Sequence, residues 1–160
     1  MTGRAPLVVV AGLGSEYRRD DGAGPLVAAR AVEEAGTGRD VGPITDPLDL
    51  LGVWDGADLA VVVDAVQSGA APGTVYVVEL GGVGGVPYGP SATTSTHGIG
   101  LAGVVRLSRA VGAAPDRVVV VGIEGEDFGR GTGLSPAVEA ALAGAVGRVV
   151  DLIGEVRTCV

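Results

Sequence analysis

The chain contains no lysine: all 11 of its basic residues are arginine, and they stand against 19 aspartate and glutamate residues. The formal net charge is −8. A protein with this balance has no basic stripe that could displace counterions from phosphate groups. The charge therefore argues against nucleic acid as a partner.

Cysteine is nearly absent too. The single Cys159 has no second thiol with which to form an intramolecular disulfide, so an oxidising compartment is not required. No apolar run approaches the length of a membrane span, and the apolar run at residues 7–10 leads into glycines and acids rather than a cleavage site. We therefore expect a cytoplasmic protein with no signal peptide and no membrane partner.

Aromatic residues make up only 3% of the chain, whereas hydrophobic residues as a class make up 47% and glycines number 29. Such a core is built from Val, Leu, Ala and Ile, with glycines allowing close approach of backbones, as in a buried α/β sheet. At 160 residues the chain has the length of one domain with a single sizeable core. We therefore predict one domain, spanning residues 1–160.

Apolar runs of strand length alternate along the chain with segments of helical periodicity. The predicted strands cover residues 7–11, 41–45, 59–63, 75–80 and 117–123. The predicted helices cover residues 25–36, 48–53 and 99–111, and a last helix follows Ser135 as its N-cap and ends near residue 153. The helix at 99–111 is expected to turn Leu101, Val104, Val105 and Val111 toward the core.

The direction of the fourth strand follows from the connection before it. The stretch from Asp64 to Thr74 is too short for a crossover helix, and it ends in a Pro-Gly type II turn signal at residues 71–74. The strand at 75–80 is therefore expected to run antiparallel to its predecessor. The predicted fold class is a three-layer α/β sandwich, in which helices flank a twisted, mostly parallel sheet of about five strands with one antiparallel strand.

Two adjacent carboxylates, Asp20 and Asp21, follow the first strand and its glycine turn, just before a helix. The amide dipoles at a helix N-terminus favour carboxylates, which then occupy the place where a bound phosphate would rest. Gly12 and Gly14 match the first two glycines of the dinucleotide-binding pattern, but Tyr17 stands at the third. The turn therefore favours a cation site over a phosphate site.

The candidate ligands are Asp21, Asp64 and His97. Asp21 follows the first strand and Asp64 ends the third, while the long connection at 81–96 returns the only histidine, His97, to a helix N-terminus. In such sheets ligands bind beyond the carboxyl ends of the strands, where all three residues can converge. Two carboxylates and one imidazole form part of a coordination sphere suited to zinc, nickel or another divalent ion.

Each of these residues also has a structural alternative. Asp21 suits a helix-capping role, Asp64 suits a turn after a strand, and His97 suits a hydrogen-bonding role among Ser and Thr. Asp20 is expected to orient the backbone of its own turn rather than to bind the ion.

Other chemically capable groups are weaker candidates. Glu124, Glu126 and Asp127 are expected to form a solvated acidic loop, with the rim of the site as the alternative. Cys159 lacks a nearby base, and Ser15 does not stand in a G-x-S-x-G elbow, so neither is expected to act as a nucleophile.

Several motifs in order resemble the hydrogenase maturation endopeptidase family over about residues 7–153. They are Gly12-Leu13-Gly14-Ser15, Asp20-Asp21-Gly22-Ala23-Gly24, Val63-Asp64-Ala65, Pro72-Gly73-Thr74, Thr96-His97, Gly100-Leu101-Ala102, Val121-Gly122-Ile123 and Gly133-Leu134-Ser135-Pro136-Ala137-Val138-Glu139. The resemblance implies an endopeptidase that removes a C-terminal extension from the large-subunit precursor of a nickel-iron hydrogenase after nickel insertion.

The resemblance also implies roles for particular residues. Asp21, Asp64 and His97 stand at the family's three metal-binding positions, which contact nickel carried by the precursor, and they are the candidate catalytic groups. No organic cofactor is implied, and the identity of a general base stays open. A non-proteolytic homologue that checks for nickel or binds another partner is the alternative.

One segment departs from the family pattern. Members commonly carry Asp-Gly-Gly after the second strand, whereas this chain has Thr45-Asp46-Pro47-Leu48-Asp49. Asp46 is expected to keep the acidic role in substrate binding, but the missing glycines leave the choice of substrate open.

Overall fold

Five strands form one sheet in the computed structural model of the chain, which describes residues 3–80 and 100–158. The strands are β1 (Val8–Leu13), β2 (Arg39–Ile44), β3 (Leu59–Val66), β4 (Val75–Leu80) and β5 (Arg117–Glu124). The described helices are α1 (Ala23–Ala35), α2 (Leu101–Ala110), α3 (Pro136–Thr158) and two 3-10 helices at Arg19–Gly22 and Pro47–Gly52. The predicted functional segment 81–96, His97 and Cys159 lie outside the described residues.

The sheet has the strand order β2-β1-β3-β5-β4, and only β4 runs against its neighbour. β3 and β5 pair in parallel from Leu59 opposite Arg117 to Val66 opposite Glu124. Because β5 occupies that whole edge of β3, β4 pairs with β5 instead of with the strand that precedes it in the chain. The fold class and the antiparallel direction of β4 are confirmed.

The three central strands, β1, β3 and β5, are buried on both faces, as their continuous apolar runs predict. Val8 and Val10 of β1 pack in a cluster with residues of α1 and α3. Val9 and Ala11 point to the opposite face and pack in a cluster with α2 and the 3-10 helix Pro47–Gly52. The helices therefore form one layer on each side of the sheet.

Some element boundaries differ from the predictions. β3 continues two residues past Asp64, which places this carboxylate within a strand rather than at its end. α3 extends to Thr158 instead of ending near residue 153. The inward orientation predicted for Val111 is wrong: α2 ends at Ala110, the chain turns at Gly112 with φ 75°, and Val111 is 63% exposed.

The order of the strands creates a crevice at one place on the sheet edge. From β1 the chain leads to β2 on one side, whereas from β3 it leads to β4 and β5 on the other. In open α/β sheets ligands bind at the carboxyl ends of strands where the direction of travel reverses in this way. The ends of β1 and β3 are therefore the expected position of a site.

None of the helices within the described ranges is long and apolar enough to cross a membrane.

Candidate functional site

Glycine packing brings the start of α1 across the ends of β1 and β3. A Cβ added to Gly24 would lie 2.5 Å from the carbonyl oxygen of Val63 and 2.6 Å from that of Leu13. Only glycine therefore allows the first turn of α1 to approach both strands this closely. Asp21 comes three residues earlier and Asp64 directly follows Val63, so this packing sets the two carboxylates at the same crevice.

The glycine turn after β1 makes room for the Asp21 carboxylate. Gly14 has φ 123°, and a Cβ at this position would lie 2.9 Å from Cγ of Asp21. Asp21 Oδ2 accepts a hydrogen bond from the amide of Ser15 at 2.9 Å. The Asp21 side chain does not cap α1. The N-cap residue of this helix is Gly22, and no side-chain hydrogen bond caps the helix there. The turn thus holds a carboxylate in place beside the end of β1.

Asp64 is a buried carboxylate that lacks a full set of partners. It is 4% exposed, and its Oδ1 has no hydrogen-bond partner among the described residues. Burial raises the pKa of Asp64 well above its usual value, and the negative charge of Asp21 raises it further, while the amide of Ala65 opposes the shift. A buried oxygen without a partner is costly unless something outside the protein pairs with it.

The two carboxylates together have the chemistry of a cation site. A positive charge between them would relieve the repulsion that raises the pKa of Asp64 and would supply the missing partner of its Oδ1. A carboxylate pair with open positions fits a divalent ion that also takes ligands from elsewhere. Within residues 3–80 and 100–158, no three His, Cys, Asp or Glu side chains are grouped to hold a metal ion. The complete trio with His97 therefore stays a prediction.

Asp46 lies two residues beyond the end of β2, so it follows the same edge of the sheet as Asp21 and Asp64. It is exposed, and its Oδ1 accepts a hydrogen bond from the amide of Leu48 at 3.0 Å. Its carboxylate therefore caps the 3-10 helix Pro47–Gly52. The structure gives this residue a local role that the sequence analysis did not assign.

The Asp20 side chain accepts hydrogen bonds from a distant segment and not from the backbone of its own turn. Its Oδ1 accepts from the amide of Ser135 at 2.7 Å, and its Oδ2 accepts from the amides of Glu126 and Asp127 at 2.8 and 2.9 Å and from Ser135 Oγ at 2.8 Å. Burial works to raise the pKa of Asp20, but these hydrogen bonds outweigh it and lower the pKa. Ser135 directly precedes α3, at the predicted N-cap position, and its hydroxyl donates to Asp20.

Glu124 also corrects a prediction. It is 1% exposed at the end of β5, whereas the sequence analysis placed it in a solvated acidic loop. Its oxygens accept from the amides of Ser68, Gly69 and Ala70 at 2.8, 2.9 and 3.1 Å and from Ser68 Oγ at 2.9 Å. The exposure predicted for Glu126 and Asp127 is confirmed. The sequence does contain a signal for this burial, because Glu124 is an acid at the end of an otherwise apolar strand.

Comparison with known proteins gives a consistent family. A sequence model of the hydrogenase maturation protease family matches residues 40–152. The hydrogenase 2 maturation protease of Escherichia coli K12 is 31% identical over 112 residues, which cover 69% of this chain and 66% of that protein. The hydrogenase expression/formation protein HupM of Azotobacter chroococcum is 32% identical over 156 residues, which cover 89% of this chain and 73% of that protein.

The solved structures agree with the sequences. The hydrogenase maturating endopeptidase HybD from E. coli superposes on this chain with a TM-score of 0.75 at 26% sequence identity. The matched region covers 93% of each chain. The match thus extends over nearly all of the sheet and its helices, including the region before residue 40 that contains Asp21. The resemblance and the expectation of a peptidase are both confirmed, and the chain belongs to the hydrogenase maturation protease family.

Proposed function

We propose that the protein removes the C-terminal extension of a nickel-iron hydrogenase large-subunit precursor after nickel has been inserted. In this proposal Asp21, Asp64 and His97 contact nickel that the substrate brings. The observation that carries the proposal is the buried Asp64 carboxylate, whose Oδ1 has no partner among the described residues and which lies within the electrostatic reach of Asp21. A site that needs a cation to be complete is suited to sense whether the substrate carries one.

The electrostatics of Asp21 and Asp64 explain how the free protein would distinguish a nickel-loaded substrate from a metal-free one. Without a cation, burial and the charge of Asp21 favour the protonated form of Asp64. A metal ion on the substrate favours the ionised form of both carboxylates, so it adds binding energy that a metal-free substrate lacks. Recognition of this kind makes nickel insertion a condition of productive binding.

The start of α2 supports the inclusion of His97. Leu101, the first residue of this helix, is buried in the same apolar cluster as Leu13 and Ile44, the last residues of β1 and β2. His97 precedes Leu101 by four positions in the sequence.

The proposed reaction is hydrolysis of one peptide bond. Water adds to the scissile carbonyl carbon, the C–N bond breaks, and the departing amine takes a proton. The nickel of the substrate would polarise the carbonyl or lower the pKa of the attacking water, and the protein ligands would hold it in place for either role. Asp46, exposed at the same sheet edge, is proposed to contact the substrate beside this centre.

Cleavage of a precursor tests the proposal. Purified protein is incubated with a nickel-loaded, C-terminally extended large subunit from the same organism, and the mass of the large subunit is followed. The wild-type protein and the exposed control Asp151→Asn are expected to remove the extension, whereas Asp64→Asn and His97→Ala are not. Cleavage that proceeds normally in both site variants would contradict the assigned roles, and nickel-dependent binding without cleavage by the wild type would favour the non-proteolytic alternative.

A further inference from the structure

Asp20 joins two loops that are far apart in the sequence. Its carboxylate is fully buried and accepts four hydrogen bonds from the segment at 126–135, as described above. All four partners are donors, so the side chain must be an acceptor at both oxygens. Asparagine has almost the same shape, but its amide group would direct a donor at another donor.

Backbone hydrogen bonds run beside this carboxylate and align the two loops. The amide of Asp20 donates to the carbonyl of Asp127, that of Arg19 to Gly131, and that of Gly131 to Tyr17, each at 3.0 Å. Arg19 has φ 49°, a conformation that residues other than glycine rarely adopt. Such a conformation persists only where its surroundings hold it, which here are the contacts on both sides of it.

The neighbouring residue, Asp21, is positioned by the same turn. Its amide donates to the carbonyl of Arg18 at 3.1 Å, and its Oδ2 accepts from the amide of Ser15 at 2.9 Å. Consecutive Cα atoms are a fixed distance of about 3.8 Å apart, so a shift of Asp20 moves Asp21 as well. The contacts of Asp20 therefore bear on where the Asp21 carboxylate lies.

We propose that Asp20 is a positioning residue, which fixes the Asp21 carboxylate by tying the turn at 18–22 to the 126–135 segment. The link to activity rests on the proposed function, because only that function gives Asp21 a role in substrate recognition. The positional coupling itself does not rest on it, since it concerns two loops of the free protein.

Glu124 provides a matched control within the same molecule. It is a second buried carboxylate that accepts four hydrogen bonds, but its donors belong to the segment at 68–70. Asp20→Asn and Glu124→Gln therefore make equivalent chemical changes at carboxylates whose donors belong to two different segments. A general loss of stability should affect both variants alike, whereas a loss of Asp21 positioning should appear only in Asp20→Asn.

Amide hydrogen exchange, read residue by residue by NMR, separates these effects. In Asp20→Asn the amides of Glu126, Asp127 and Ser135 are expected to exchange at least about tenfold faster, and the amide of Ser15, which reports on Asp21, is expected to follow. In Glu124→Gln the amides of Ser68 to Ala70 should lose protection and that of Ser15 should not. Fluorescence of the buried Trp54 confirms that each variant is folded.

An unchanged Ser15 amide in Asp20→Asn, with faster exchange only at 126–135, would overturn the proposal. Equal loss of Ser15 protection in both variants would overturn it too. If Asp20→Asn does not fold, Ser135→Ala removes one donor and keeps the amide bonds, and it must show the same pattern on a smaller scale.

A cleavage assay adds a functional readout. Where the wild type cleaves the precursor, Asp20→Asn is expected to lower kcat/KM by at least about tenfold more than Glu124→Gln does. A wild type that does not cleave would count against the proposed function, while the exchange data would still decide the role of Asp20.

Discussion

Asp21 and Asp64 lie on different elements, yet the charge of Asp21 helps to raise the pKa of Asp64. The two carboxylates are both buried, and one oxygen of Asp64 has no hydrogen-bond partner within the described part of the chain. A fold whose only task was stability would gain by removing such a pair. The presence of this pair where β1 and β3 end is accounted for by a function that requires it.

Asp64→Asn is expected to stabilise the protein at neutral pH while abolishing cleavage. On folding at neutral pH, the Asp64 carboxyl must either keep a buried charge beside Asp21 or take up a proton, and both cost free energy. The amide avoids both costs, so the gain should fall in the range of about 0.5–2 kcal/mol, or a few degrees in Tm. Urea or thermal unfolding followed by Trp54 fluorescence measures it. Asp151→Asn, on the exposed face of α3, serves as the control and should leave stability nearly unchanged. Destabilisation by Asp64→Asn would mean that the carboxylate is satisfied in the free protein.

The stability difference between wild type and Asp64→Asn is expected to depend on pH with a definite sign. The pKa of Asp64 in the folded state is raised above its ordinary value of 3.8. The folded state therefore binds more protons than the unfolded chain between these two values, and the wild type gains stability as pH falls through that interval. The advantage of Asp64→Asn should shrink over the same interval and level off below about pH 3.8. An advantage that grows on acidification would contradict the direction of this pKa shift.

The pKa of Asp20 leads to the opposite behaviour. It is lowered below 3.8, because hydrogen bonds from the 126–135 segment and Ser135 outweigh the effect of burial. Its contribution to stability is present above the unfolded value and is lost as pH falls through the lower, folded value. Wild type should therefore lose more stability than Asp20→Asn on acidification below about pH 3.8, as measured by urea unfolding at a series of pH values. Parallel curves would show that the Asp20 carboxylate carries no net stabilisation.

Gly24→Ala is expected to disturb the packing of α1 on the carboxyl ends of β1 and β3. The new Cβ would meet the carbonyl oxygens of Val63 and Leu13, which are backbone atoms and cannot rotate away. We expect a loss of about 1–3 kcal/mol together with reduced cleavage. Gly144→Ala in α3 is the matched control: it has open space and should stabilise the helix by up to about 1 kcal/mol. Equal effects of both substitutions on thermal unfolding would rule out the close packing of α1 on the strand ends.

Two substitutions at Asp46 separate its local role from its proposed contact with substrate. Asp46→Asn keeps a side-chain acceptor for the amide of Leu48 and removes the charge, whereas Asp46→Ala removes both. Only Asp46→Ala should lower stability, by about 0.5–1 kcal/mol. If the charge binds substrate, both should raise KM with little change in kcat. A KM that changes in Asp46→Ala alone would reduce Asp46 to a helix cap.

Much of the fold could be predicted from the sequence because the central strands are buried on both faces. Continuous Val-rich runs such as 59–63 and 117–123 mark the central strands, and the Pro72-Gly73 turn, with the amide of Thr74 bonded to the carbonyl of Ala71 at 3.1 Å, marks the direction of β4. That β4 pairs with β5 could not be predicted, because pairing depends on which strand fills the edge of β3. Local patterns carry no information about that choice.

The site was predictable to a lesser degree, for a similar reason. Asp21 and Asp64 could be predicted because each follows an apolar run of strand length, but the partners of Asp20 and Glu124 lie more than 50 residues away in the sequence. Spacing cannot distinguish a carboxylate that receives four hydrogen bonds from one that lacks a partner. In the folded chain this distinction separates Asp20 and Glu124, which accept hydrogen bonds from other segments, from Asp64, one oxygen of which has no partner among the described residues.

The most direct test of the account is the rate at which the wild-type protein shortens one precursor in its nickel-loaded and nickel-free forms, followed by mass spectrometry. The nickel-loaded form is expected to lose its C-terminal extension, and the nickel-free form is expected to keep an unchanged mass over the same time. Equal rates with and without nickel would contradict this expectation, because the Asp21 and Asp64 carboxylates would then act without the cation that their burial calls for.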